Sequence, residues 1–168
     1  SIIPFATSCD YSSKLGTISY MTQQEALGIM HGGVSVLLTG AAGTGKTHTL
    51  NAFVSFARAS GKTVAMTATT GLAATHLNGT TIHAWSGIGV HDALPKDHVL
   101  KMGKQRKEII TKTDVLVIDE ISMLHDYRLD MVDDICRAVR EVDEPFGGLQ
   151  VILCGDFFQL LPVNGNDS

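Results

Sequence analysis

The sequence lacks the features of several protein classes. Its cysteines, Cys9, Cys136 and Cys154, are odd in number and have no metal-ligand spacing, which argues against a disulfide framework or a zinc site. No apolar run approaches the roughly 20 residues that a membrane-spanning helix requires. The first residues, "SIIPFATSCDYSSKLG", contain no basic segment followed by an apolar core, so no secretory signal is predicted. These absences favour an intracellular protein with reduced thiols and no membrane partner.

Strong charge and internal repetition are also lacking. The formal net charge is −4 at pH 7, so any nucleic-acid binding would depend on local basic patches. No internal repeat or low-complexity segment is found. At 168 residues the chain has room for one domain with a hydrophobic core. We expect that domain over residues 20–168, preceded by a flexible tail or an expression remnant over residues 1–19.

What the sequence does have is an alternation of strand and helix patterns. Short apolar runs predict strands at "VSVLLTG", "KTVAMTA", "TDVLVIDE" and "LQVILCGD". Helical patterns precede and separate them, at "MTQQEALGIMHGG", "THTLNAFVSFARASG", "TGLAATHLNG" and "HDYRLDMVDDICRAVREV". Strands that are apolar throughout are typical of a parallel sheet covered on both faces. The sequence therefore predicts an α/β fold with three layers and a mainly parallel central sheet.

A phosphate-loop motif, G-x-x-x-x-G-K-[ST], occurs at "GAAGTGKT", residues 40–47, between a predicted strand and a predicted helix. Its glycines, with Gly43, Thr44 and Gly45 in the loop, allow backbone N–H groups to face an anion at the positive end of the helix. Lys46 would reach the β- and γ-phosphates, and the Thr47 hydroxyl would bind magnesium. The alternative is a glycine-rich turn without a ligand.

Further polar groups follow the last two predicted strands. Asp119 in "VLVIDE" would hold the metal ion through water, and Glu120 would polarise the attacking water. Gln159 in "GDFFQLLPV" is a candidate sensor of the γ-phosphate. The alternatives are a solvated acidic pair and a solvated loop glutamine. Because ligands of such sheets bind at the carboxyl ends of strands, we expect these groups to meet at one edge.

Four segments together resemble one known family. They are "GAAGTGKT", "TATTGLAATHLNGTTIHAWSGIG", "VLVIDEISML" and "PFGGLQVILCGDFFQLLPV", and they are similar to the first motor domain of the petite-integration-frequency (Pif) helicases, in the B branch of superfamily one. The resemblance covers the chain except for its first residues and its end. It implies a RecA-like P-loop domain and an ATP- and Mg²⁺-dependent motor that moves 5′ to 3′ along single-stranded DNA and separates duplexes.

The resemblance also implies roles for individual residues of the nucleotide site. Lys46, Glu120 and Gln159 match catalytic positions, and Thr47 and Asp119 match the metal-binding positions. The adenine-reading glutamine of the family falls at Gln23, with Gln24 as the adjacent alternative. A glutamine at the start of a helix is also often merely exposed or capping.

DNA contacts are implied at two places. The segment Thr69, Thr70 and Gly71 offers hydroxyls and helix-start amides to a backbone phosphate, with ordinary helix capping as the alternative. His83 and Trp85 in "TTIHAW" would contact the DNA strand and stack along it, as in single-strand binders, although Trp85 could equally pack into the core. The basic segment "KDHVLKMGKQRKEIITK" could touch phosphates or form a solvated helix face.

The chain departs from the family in two respects. Leu161 and Pro162 stand where the family has consecutive prolines, which could loosen that turn. The sequence ends at "NGNDS", so we expect the second motor domain, with its arginine finger, to be missing. Three hypotheses remain: the ATP-binding half of a helicase, a stand-alone module that binds without useful catalysis, or another P-loop enzyme such as a small-molecule kinase. The segments "DEISM" and "GDFFQ" argue against the kinase.

Overall fold

The computed structural model describes residues 2–4, 23–39, 46–89 and 91–155, with the backbone alone for residues 2–4, 23 and 24. Six strands form one sheet: β1 (Ile2–Pro4), β2 (Val36–Thr39), β3 (Val64–Ala68), β4 (Thr80–Thr81), β5 (Val115–Asp119) and β6 (Gln150–Gly155). Within the described residues, the α-helices are α1 (Gln23–His31), α2 (Lys46–Ala59), α3 (Gly71–His76), α4 (Ile82–Ser86), α5 (His98–Lys101), α6 (Lys104–Lys112) and α7 (Asp126–Arg140). None of the helices in these ranges is long and apolar enough to cross a membrane.

The sheet has the strand order β1-β2-β6-β5-β3-β4. Every pairing is parallel except that of β1, which runs antiparallel to β2 at one edge. All four predicted strands are present, and each lies within its predicted segment. A mainly parallel α/β fold is thus confirmed.

The central strands are buried along most of their length, because helices cover both faces of the sheet. All of β2 and β6 is buried, as is β5 up to Ile118. One core packs α1 and α2 against the sheet, with Leu50, Phe53, Val54 and Ala57 on the inner side of α2, as their spacing predicts. The three predicted layers therefore follow from strands that are apolar on both sides.

The second core lies on the other face, between the sheet and the helices α4, α6 and α7. The inner side of α7 contributes Val132, Ile135 and Cys136, all fully buried, with Val139 packed at the margin. Burial raises the pKa of the Cys136 thiol to about 12, with a smaller contribution from the charge of Asp133, so the thiol is protonated at neutral pH. Cys136 is a free cysteine, in agreement with the expectation of a reduced thiol.

A tight turn of 3₁₀ helix, Pro145–Gly148, leads from α7 into β6. Phe146 and Gly147 both have positive φ, at 54° and 62°, and a Cβ on Gly147 would lie 2.5 Å from the carbonyl oxygen of Cys136. The buried carboxylate of Asp133 accepts a hydrogen bond of 2.6 Å from the Phe146 N–H. The "PFGG" signal thus has a structural basis, since a bulkier residue at Gly147 would meet the end of α7.

Arg140, at the end of α7, joins three parts of this face. Its Nη1 donates to the carbonyl oxygens of Ile110, Thr111 and Thr113 at 2.9–3.1 Å, where α6 ends. Its Nε donates to the Gly147 carbonyl oxygen at 2.8 Å. A cation near the last carbonyls of a helix satisfies groups that have no partner within the helix.

The strand β1 was not predicted. Residues 2–4 fall in the segment expected to be a tail, yet they pair with β2 in the register Ile2 with Leu38 and Pro4 with Val36. A strand of three residues at a sheet edge has no periodicity long enough to detect. The rest of that segment, including Cys9, lies outside the described residues.

Candidate nucleotide and DNA site

The strand pairing brings the ends of β2, β6, β5 and β3 to one edge of the sheet. Thr39 pairs with Gly155, and Ala68 pairs with Asp119, so these four strands end at nearly the same level. The segments that follow them start with the phosphate loop, the threonine segment, the acidic pair and the sensor segment. The predicted convergence at the carboxyl edge therefore holds for the points where these segments begin.

Lys46 and Thr47 form the first turn of α2, directly behind the phosphate loop. Lys46 is half-buried and Thr47 is exposed. Burial and the negative charge of Asp119 raise the pKa of the Cys154 thiol in β6, and the positive charge of Lys46 opposes this shift. Both charged side chains therefore lie close to the carboxyl end of β6, although Gly43, Thr44 and Gly45 are outside the described residues.

The acidic pair has an unusual backbone. Asp119 ends β5 half-buried, and its Oδ1 accepts a hydrogen bond of 2.9 Å from the Glu120 N–H. Glu120 is exposed and adopts the left-handed conformation, with φ 55° and ψ 46°, before the 3₁₀ turn Ile121–Met123. A Cβ on Gly155 would lie 2.9 Å from the Ile121 side chain, so glycine gives this turn its room beside β6.

The donor set at this edge suits magnesium, a hard cation that prefers oxygen ligands and keeps several waters. Thr47 supplies a hydroxyl and Asp119 a carboxylate. Within the described ranges, neither Asp119 nor Glu120 forms an ion pair with a basic side chain. The described part of the chain thus offers one hydroxyl and one carboxylate to a divalent ion at this edge.

Of the three candidate glutamines, Gln23 and Gln24 lie in the described part of the chain by their backbone alone. Gln23 is the first residue of α1, for which the structure gives the backbone alone. Gln24 follows it in the same helix. Gln159, together with Leu161 and Pro162, lies outside the described residues.

The threonine segment after β3 makes several defined contacts. The Thr69 N–H donates to the Asp119 carbonyl oxygen at 3.2 Å, and its hydroxyl donates to the Glu120 carbonyl oxygen at 2.8 Å. Thr70 is the N-cap of α3, since its hydroxyl oxygen accepts from the Ala73 N–H at 3.2 Å. Capping, the alternative considered from the sequence, therefore does occur at Thr70, although its hydroxyl proton is not used in that bond.

The "TTIHAW" segment forms β4 and most of α4. Thr81 caps the helix by accepting from the Ala84 N–H at 3.2 Å. Trp85 is only 6% exposed and belongs to the core between α4 and the sheet, so the structure favours packing over base stacking. His83 is half-buried, and burial followed by the charge of Arg128 lowers the pKa of its imidazole. A neutral His83 can donate or accept a hydrogen bond but adds no positive charge.

The basic segment is partly committed to the fold. The Arg106 guanidinium donates to the carbonyl oxygens of Ala84 and Trp85 and so caps the end of α4. Lys101 forms an exposed ion pair of 3.0 Å with Asp97, one turn earlier. The link from α6 to α4 through Arg106 could not be found from the sequence, where Arg106 is one of several basic residues in a row.

The fold and the motifs at this edge are those of a RecA-like P-loop motor domain. The chain belongs to the PIF1-like helicase family, whose model matches residues 22–168. It is 50% identical over 145 residues to the ATP-dependent DNA helicase Pif1 of Psychrobacter, covering 85% of this chain and 22% of that protein. It is 45% identical over 132 residues to the human ATP-dependent DNA helicase PIF1, covering 78% of this chain and 20% of that protein.

Solved structures of Pif1 helicases share the fold. The crystal structure of Pif1 helicase from Candida albicans matches with a TM-score of 0.75 and 36% identity, over 89% of this chain and 35% of that chain. Bacteroides Pif1 bound to ssDNA matches with a TM-score of 0.68 and 37% identity, over 87% of this chain and 34% of that one. The chain thus spans about a fifth to a third of the length of these relatives.

Proposed function

We propose that this chain is the ATP- and Mg²⁺-binding first motor domain of an ATP-dependent DNA helicase that moves 5′ to 3′ on single-stranded DNA and unwinds duplexes. Membership of the PIF1-like helicase family supports the proposal. The observation that carries it is that α2 begins at Lys46, behind β2, and that β5 ends at Asp119, next to Glu120, at the same carboxyl edge of the parallel sheet. A DNA substrate implies an intracellular protein, in the bacterial cytoplasm or, in a eukaryote, in the nucleus or mitochondrion.

The proposed chemistry is the transfer of the γ-phosphoryl group of ATP to water. Lys46 would neutralise charge on the β- and γ-phosphates, and Thr47 and Asp119 would hold the magnesium ion, Asp119 through water. Glu120 polarises the attacking water, and Gln159 senses the γ-phosphate. Magnesium, when bound, spreads the charge that develops on the phosphate oxygens.

Nucleotide recognition is proposed for the remaining positions. Gly43, Thr44 and Gly45 would present backbone N–H groups to the phosphates, as the motif requires. Gln23 would read the adenine edge with its amide, which can both donate and accept. The position of Gln23 at the start of α1, whose helix packs on α2, is compatible with this role.

DNA binding is proposed along the same edge, next to the nucleotide. Thr70 and Gly71 would contact a backbone phosphate, and His83 would add a neutral hydrogen bond. The hydroxyl proton of Thr69 is already donated to the carbonyl oxygen of Glu120, so a DNA contact by Thr69 would compete with that bond. The structure of Bacteroides Pif1 bound to ssDNA shows a family member in complex with this ligand.

Nucleotide binding is tested with a fluorescent ATP analogue, with and without Mg²⁺. Lys46→Ala should weaken the affinity at least about tenfold, because the phosphates lose their principal cation. Lys62→Ala is the matched control, since Lys62 precedes β3 and so lies at the opposite edge of the sheet. Equal affinities for the parent chain and Lys46→Ala would contradict the proposed site.

Catalysis by this chain alone is expected to be very slow. The family resemblance implies that the arginine finger belongs to the second motor domain. Such a finger increases the rate of hydrolysis by about 10³ to 10⁵, or about 4–7 kcal/mol of transition-state stabilisation. We expect nucleotide binding, little hydrolysis and no unwinding. The measurement is phosphate release with and without oligothymidine, and brisk DNA-stimulated release by this chain would refute the expectation. Phosphate passed to an acceptor other than water would instead support the kinase hypothesis.

A further inference from the structure

The backbone of Glu120 is strained at a position that the proposed chemistry uses. The described residues other than glycine with positive φ are Asn78, Glu120, Glu141 and Phe146. Asn78 and Glu141 follow the ends of helices, and Phe146 is held by Asp133 in its turn. A residue other than glycine keeps the left-handed backbone conformation only where its surroundings enforce that conformation. Such residues cluster at functional sites. At Glu120, hydrogen bonds to the backbone hold this conformation.

Three hydrogen bonds hold the N–H and carbonyl groups of Glu120. Its N–H donates to the Asp119 side chain at 2.9 Å. Its carbonyl oxygen accepts from the Met123 N–H at 3.0 Å, within the turn, and from the Thr69 hydroxyl at 2.8 Å. The Thr69 hydroxyl thus reaches the carbonyl oxygen of Glu120 directly, from the segment that follows β3.

Thr69 is itself well placed for this task. Its N–H donates to the Asp119 carbonyl oxygen at 3.2 Å, which extends the ladder between β3 and β5 one residue past Ala68. The side chain is half-buried, and its hydroxyl makes one short bond of 2.8 Å at an exposed position. Two bonds from one residue therefore hold both members of the acidic pair by their main-chain carbonyls.

We propose that Thr69 is a positioning residue for Glu120, and that its hydroxyl ties the DNA-binding segment to the group that activates water. The inference rests on the proposed function for the role of Glu120, while the contact itself does not. Thr70 and Gly71 follow Thr69 directly, so a displacement of that segment by a bound phosphate is transmitted to the Glu120 peptide. A contact between the Thr69 hydroxyl and DNA is the competing role.

Amide hydrogen exchange tests the contact in the free chain. Thr69→Val keeps the shape of the side chain and removes the donor, so exchange at the Met123 and Glu120 amides should rise about fivefold, as expected for the loss of one hydrogen bond. Thr69→Ser should restore slow exchange. Thr75→Val is the matched control, because the Thr75 hydroxyl donates to the Gly71 carbonyl oxygen at 3.0 Å and has no contact with Glu120. Unchanged exchange in Thr69→Val would overturn the proposal.

A split between binding and turnover tests the positioning role. In single-turnover hydrolysis with the chain in excess over ATP, Thr69→Val should lower the rate about tenfold, with less than about a twofold change in the Kd for nucleotide. Thr69→Ser should recover the rate. If Thr69→Val instead weakens oligothymidine binding and leaves exchange and rate unchanged, Thr69 is a DNA contact and the proposal is wrong.

The failure of the proposed function would look different. In that case the parent chain would bind neither the ATP analogue nor oligothymidine. The exchange comparison would still decide whether Thr69 holds Glu120, because it uses the free chain and needs no ligand.

Discussion

The carboxylate of Asp133 should be essential to the stability of the turn that leads into β6. Asp133 is 5% exposed and accepts 3.1 Å bonds from the Arg137 Nε at both of its oxygens. It also accepts from the Phe146 N–H at 2.6 Å, where the backbone has a positive φ. Asp133→Ala removes all of these contacts and leaves the Phe146 N–H buried without an acceptor.

The size of the effect follows from that orphaned group. A buried N–H without a partner costs about 1–3 kcal/mol, and a hydrogen bond to a charged acceptor is at the upper end of the usual range. We therefore expect Asp133→Ala to lower the free energy of unfolding by about 2 kcal/mol. For a domain of 150–250 residues this corresponds to a fall in Tm of roughly 4–8 °C.

Urea unfolding at pH 7 measures the change, with the slope of the transition checked for constancy. Asp134→Ala is the matched control, since Asp134 is the neighbouring acid on the exposed side of α7. Burial, then the charges of Asp133 and Asp130, raise the pKa of Asp134, so its ionised form is disfavoured in the fold. Its loss should leave stability unchanged or slightly higher. A cost for Asp133→Ala no larger than that of the control would refute the reasoning.

Two further changes test the fold at other points. Gly79→Ala should destabilise the chain by about 2 kcal/mol in urea unfolding, because a Cβ there would lie 2.1 Å from the Met66 carbonyl oxygen. Gly28→Ala in α1 is the control, since a Cβ there meets nothing within 4 Å and the change should be neutral or stabilising. His83 has a lowered pKa in the fold, so its contribution to stability is complete above pH 6.5 and is lost as pH falls through the folded value. His83→Gln should therefore lose less stability between pH 7.5 and pH 5.5 than the parent chain, and equal losses would contradict the assignment.

The sequence was sufficient for the regular elements that have strong local patterns. The continuous apolar runs gave β2, β3, β5 and β6, since a strand buried on both faces needs no alternation. The spacing of Leu50, Phe53 and Val54 gave the inner face of α2. The carboxyl edge of the sheet also followed, because parallel strands necessarily end together.

The contacts that were not predicted are those between residues far apart in the chain. Thr69 bonds to Glu120, and Arg140 bonds to carbonyl groups near residue 111, through polar contacts that no periodic pattern encodes. Trp85 could not be assigned from the sequence, because an aromatic residue serves equally in a core or in stacking. The edge strand β1 was missed for a related reason, since its partner lies more than thirty residues away in the chain.

The part of β3 that β4 leaves unpaired bears on aggregation between copies of the domain. β4 pairs with β3 only at Thr67 and Ala68, so along Val64–Met66 no strand in the described part of the chain covers that side. Arg58 and Lys112 line the cleft there. A strand added at this edge would have to bury one of these charges. Three residues form too few hydrogen bonds with an added strand to offset the free-energy cost of that burial. Both features disfavour edge-to-edge aggregation.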